Sequence, residues 1–153
     1  MTTFHLVKHK GNFLKRHSLS LVAVGVLLLW IILYWRSDPN THWGAFFGNA
    51  IADWTGVVVT VLATKFLFEQ GSAESRSPKH RWHGKVLDFL ECHSLTIFLL
   101  ITGAVWLAIY LHNPAQGKWN QVVGNIVSEW TQIIGLVLLT KRLIERGSKE
   151  SHR

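Results

Sequence analysis

Asp53 and Glu129 are the residues to account for first. Each is the single charged residue of a long apolar stretch, Trp43–Thr64 for one and Trp119–Thr140 for the other. A carboxyl group so placed can relay a proton or hold a hard cation through its oxygens. Asp53 stands 10 residues after Trp43 and 12 before Lys65. On a helix that is roughly 15 Å and 18 Å, close to the middle of a bilayer. A carboxylate there costs about 2.5–3.5 kcal/mol, so it should face other helices or water rather than lipid. Its neighbours share the face. Asn49, Asp53, Gly56, Thr60 and Thr64 step by four or three residues, the helical spacing. Asn125, Glu129, Gln132, Leu136 and Thr140 repeat the pattern. Two such stripes could line a cation path.

The same segments also carry a packing signal. Gly44, Gly48, Ala52 and Gly56 form a ladder of small residues, and Gly124 and Ser128 a shorter one. Small residues let membrane helices approach closely, and nearby Asn or Asp can hydrogen-bond across the contact. On this alternative Asp53 and Glu129 hold helices together, with Trp54 and Trp130 donating indole N–H groups to them or their neighbours.

Histidine offers a weaker third possibility. His80 and His83 lie in a basic loop, and Cys92 and His93 are adjacent. Imidazole and thiolate suit transition metals, but spacing alone fixes no complete ligand set. No P-loop, zincin motif or nucleophile–base arrangement is present. The expectation is a protein that is not an enzyme and needs no cofactor.

Four apolar segments must position these residues: Ser18–Trp35, Trp43–Thr64, His93–Leu111 and Trp119–Thr140. The chain of 153 residues is 48% hydrophobic and only 16% charged, which excludes a small soluble enzyme. One cysteine excludes a disulfide scaffold. Runs of about 18 or more apolar residues predict membrane-spanning helices. The sequence also repeats with an offset of 76. His17–Ser77 aligns on His93–Arg153 without a gap, and about 20 of the 61 pairs are identical. Each copy is a hairpin that crosses twice, so both copies share one orientation, a parallel repeat. The expected fold is an all-α integral membrane protein of four helices in two tandem hairpins. Residues 1–77 hold a basic segment and helices at about 18–35 and 43–69. Residues 78–153 hold a loop and helices at about 89–111 and 119–146.

Charge sets the orientation. Of the 16 Lys and Arg residues only Arg36 and Lys118 lie in the two short hairpin loops. The rest place both termini and the middle loop in the cytoplasm by the positive-inside rule. Tyr34, Trp35, Trp43, Tyr110 and Trp119 then form an outer aromatic belt. The net charge of +7 is a topology signal, with attraction to anionic headgroups as an addition. No module that reads nucleic acid is present. The first apolar segment is too long for a signal peptide and lacks a cleavage site, so it is expected to be retained.

The hairpin loops carry Pro, Asn and Gly, which are turn residues. Lys65 and Lys141 stand four residues before Glu69 and Glu145, a spacing that predicts pairing along one helix. Gly71 and Gly147 are expected as stops after the second and fourth helices.

The paired signature His17-Ser-Leu-Ser, Gly48-Asn, Asp53-Trp-Thr and Gly71-Ser-Ala-Glu-Ser, with its second copy from His93 to Ser151, resembles a group of small bacterial inner-membrane proteins of unknown function. The resemblance covers nearly the whole chain and implies a bacterial cytoplasmic membrane, but no activity. A looser pattern through Asn49, Thr55 and Thr60 is similar to the low-affinity iron permease family. The expected activity is a cation or proton channel or carrier, in contact with lipid and as a homo-oligomer. The alternative is an assembly or accessory protein using the same residues.

Overall fold

The computed structural model describes residues 3–76 and 84–143, with side chains from Lys15 onward. Among these residues the chain is all helical: α1 (Thr3–Arg36), α2 (His42–Phe66), α3 (Lys85–Cys92), α4 (Ser94–His112) and α5 (Lys118–Leu139). Four helices are long and apolar enough to cross a membrane: α2, α4, α5 and the Lys15–Arg36 part of α1. Many of their large apolar side chains face outward, among them Leu21, Leu28 and Ile32 on α1 and Leu100, Ile101 and Val105 on α4. That surface suits a membrane protein rather than one bathed in water.

Helix α1 packs on α2, α4 on α5, and α2 on α5. One buried cluster joins Tyr34, Ile51, Ala52, Val122, Ile126 and Trp130. A second, nearer the Phe66 end of α2, joins Ala63, Leu95, Leu99 and Val137. Thus α2 and α5 form the centre, and each hairpin reaches across to the other.

The turn from α1 to α2 is built by its own side chains. Asn40 N–H donates to Asp38 Oδ1 at 2.9 Å, and Thr41 Oγ1 accepts from Gly44 N–H at 3.1 Å as the cap of α2. Gly44 therefore lies against Asp38 and Pro39 of this turn rather than against another helix.

Several boundaries differ from the sequence expectation. Helix α1 starts at Thr3, well before Ser18. Helix α2 stops at Phe66, not near Glu69, because Phe68 N–H bonds to Ser94 Oγ at 2.8 Å and Leu95 N–H to the Phe68 carbonyl at 3.0 Å. The chain leaves the helix to satisfy the open N–H groups that begin α4. Gly71 is not a helix stop. It takes φ +85° in a turn closed by Ser72 N–H on the Glu69 carbonyl. The helix expected at about 89–111 is two helices, broken at His93. Helix α5 ends at Leu139 rather than near Arg146. Gly147 lies outside the described residues.

Tyr34 is not part of an exposed belt, although Trp35 and Trp43 are exposed. It is fully buried, and its hydroxyl donates to the Lys118 carbonyl at the start of α5. Lys118 Nζ in turn donates to the carbonyls of Ser37 at 2.6 Å and Trp35 at 3.2 Å. These bonds tie the first hairpin turn to the second hairpin. Tyr34→Phe removes one of them with little change in shape. The expected loss is about 0.5–1.5 kcal/mol, read from the unfolding midpoint of the full chain in detergent.

Candidate functional site

The seam between α2 and α5 gathers the mid-helix polar residues. Asn125 Nδ2 donates to Asn49 Oδ1. One turn further along, Asp53 and Glu129 are electrostatic neighbours. Both pairs join residues 76 apart. Each is a like pair, amide to amide and carboxyl to carboxyl.

Packing below the pair is close. A Cβ at Gly56 would lie 3.2 Å from Glu129 Oε2 and 3.4 Å from Ile133 Cδ1. Gly48 faces Tyr34 and Val122, and Ala52 is buried in the central cluster. Gly124 lies against the Tyr110 ring of its own hairpin. Ser128 and Gln132 are exposed, as are Asn49 and Asp53, so the seam is open on one side. Trp130 is buried but donates to Thr102 Oγ1 on α4 at 2.8 Å, not to the carboxyl pair.

Towards the Phe66 end of α2, Thr60 and Thr64 line a cavity of about 50 Å³ with Glu74, Leu95 and Leu99. Thr64 Oγ1 donates to the Thr60 carbonyl at 2.6 Å. Thr140, placed by sequence on the polar stripe of α5, does not reach this cavity. It caps α5, and its hydroxyl bonds with Ser72 Oγ at 3.0 Å and accepts from Ala73 N–H at 3.3 Å.

A second polar cluster stands at this end, and sequence spacing misdirects the search for it. Glu69 is buried. Its carboxylate accepts from His93 Nδ1 at 2.7 Å, from Thr96 N–H at 3.1 Å and from Lys141 Nζ. So Glu69 pairs with Lys141 of the other hairpin, not with Lys65 four residues away. Lys65 Nζ lies 3.3 Å from His17 Nδ1 instead. The carboxylate also occupies the N-terminus of α4, where His93 makes no side-chain cap. The only sequence signal was that Glu69 and Glu145 are identical between the copies. Glu145 itself lies outside the described residues.

Of the metal candidates, Cys92 and His93 lie among the described residues. Cys92 is buried, and His93 holds Glu69. His80 and His83 lie outside the described residues. Among the described residues no group of three His, Cys, Asp or Glu is placed to hold a metal. Comparison with protein-family models, curated proteins and solved structures finds no match for this chain.

Proposed function

We propose that this chain is a small bacterial inner-membrane protein that passes protons, or a small cation, through the Asp53–Glu129 pair. In this proposal the four long helices span the membrane as two parallel hairpin repeats, with both termini cytoplasmic. The meeting of Asp53 and Glu129 midway along α2 and α5 carries the proposal. A pair of neighbouring carboxyl groups can take up a proton from one side and release it to the other. The Thr60–Thr64 cavity supplies neutral oxygens on the cytoplasmic side of the pair. Asn49 and Asn125 supply them on the outer side.

The alternative, a non-transporting assembly protein, draws on a different observation. The Asn49–Asn125 bond and the fit of Gly56 against Glu129 are those of a tight helix contact. The exposure of Asn49 and Asp53 in the single chain fits a homo-oligomer, since lipid is a poor neighbour for either.

Ion flux into proteoliposomes separates the two, with arms for H⁺, K⁺, Na⁺ and Fe²⁺. The expected result is a flux that Asp53→Asn with Glu129→Gln reduces to the leak of protein-free liposomes, while the variant still folds. Flux at the leak level for every ion in the wild type would refute the carrier and favour the assembly protein.

A further inference from the structure

We propose that the cavity between the start of the apolar part of α1 and the Phe66 end of α2 binds a phosphate oxyanion, the headgroup of an anionic phospholipid. This rests on the membrane placement proposed above. The cavity measures about 570 Å³, and Arg16, His17, Ser20, Lys65 and Arg76 line it. Three fixed cations therefore face it, against one carboxylate, Glu74.

The molecule itself shows what the imidazole and the ammonium of such a set hold. His93, Thr96 and Lys141 stand 76 residues beyond His17, Ser20 and Lys65. Those three surround an oxyanion, the Glu69 carboxylate, through an imidazole nitrogen, a backbone N–H and an ammonium. In the first hairpin Ser20 lies within α1, where its N–H is bonded inside the helix, so side chains alone face the cavity, and they suit a larger and more highly charged anion. Arg16 stands where the second hairpin has Cys92. Guanidinium groups match phosphate oxygens in pairs. The space far exceeds that of one carboxylate.

The apolar floor differs too. Leu19 is 66% exposed, whereas its counterpart Leu95 is 2% exposed and packed among Ala63, Leu99 and Val137. An open leucine in the wall of a basic cavity, where the apolar part of α1 begins, accommodates an acyl chain beside a headgroup.

The test is the thermal midpoint of the full chain in uncharged detergent, titrated with phosphatidylglycerol, phosphatidylcholine or inorganic phosphate. Phosphatidylglycerol should raise the midpoint saturably, and phosphatidylcholine should not. Arg16→Ala with Arg76→Ala should weaken the response by about tenfold or more. Lys8→Ala with Lys10→Ala, an equal loss of charge elsewhere, should leave it intact. A saturable response to inorganic phosphate alone supports the same site and makes the free anion its source. Equal weakening by both charge-matched variants would reduce the effect to bulk attraction and overturn the proposal. So would binding that appears only after Glu145→Gln, since the chain's own carboxylate would then own the site. Arg16→Ala/Arg76→Ala should keep the wild-type ion flux, so loss of lipid response and loss of the carrier function are distinguishable. Recovery of the wild type from the membrane fraction reports on insertion separately.

Discussion

Glu69→Ala lowers the stability of the chain by about 3–5 kcal/mol, the cost of breaking a buried pair by removing one partner. The Glu69 side chain is fully buried and is the common acceptor for Lys141, His93 and the Thr96 N–H. Without it an ammonium, an imidazole and a helix-terminal N–H each lose the Glu69 contact. The turn that follows α2 also loses its hold on α4. Glu69→Gln should cost less, because an amide oxygen still accepts from Thr96 but gives Lys141 no charge. Unfolding of the full chain in detergent at neutral pH measures both, and wild-type stability for Glu69→Ala would show that this anchor carries nothing. The pH dependence has a definite sign. Burial pushes the Glu69 carboxyl up, but hydrogen bonds from Lys141, Thr96 and His93 outweigh it and hold the group below its ordinary range. Its contribution is therefore complete above the unfolded value, about 4.3, and is lost as pH falls through the lower folded value. The gap between wild type and Glu69→Gln should close only under acid, below about pH 4. A gap that closed as pH rose through neutrality would assign the stability to another group.

Gly44→Ala is the second large effect, and its cause is steric. A Cβ at Gly44 would overlap the Asp38 carbonyl oxygen and lie 2.7 Å from its carbon and 2.9 Å from Pro39 Cα. All three are backbone atoms, so no side chain can swing away. The same Asp38 oxygen accepts from Thr41 N–H at 3.2 Å and Thr41 Oγ1 at 2.7 Å. Thr41 Oγ1 in turn caps α2. One methyl group thus displaces the turn, its cap and the start of α2, at a cost of about 3 kcal/mol or more. Gly25→Ala is the control. Nothing lies within 4 Å of its Cβ, and alanine is the better helix former by up to about 1 kcal/mol. The two variants should shift the unfolding midpoint in opposite directions. Equal midpoints would mean that the α1–α2 turn relaxes without loss.

Much of the framework was legible from residue types alone. Uninterrupted apolar runs can bury their backbone polar groups only as helices, and four such runs make the four long helices of the structure. The Pro- and Asn-bearing loops mark where the hairpins turn. Asp53 and Glu129 could be singled out because a lone carboxylate in an apolar run needs a partner.

Partner choice was not legible. The spacing of Lys65 and Glu69 offers a local pair, but α2 ends three residues before Glu69. The start of α4 competes for that segment, with open N–H groups and with His93 and Lys141 beside it. Those residues are distant in the chain, so no periodicity reveals them. Tyr34 shows the same limit. Its position beside Trp35 suggested a membrane-surface aromatic, yet packing against α5 buries it and gives its hydroxyl a backbone acceptor. Sequence by itself determined that four long apolar helices form and that Asp53 and Glu129 needed company, because both follow from local composition and solvation. Only the tertiary structure decided who provides that company, because desolvation and hydrogen-bond satisfaction are settled by the long-range packing of one hairpin on the other.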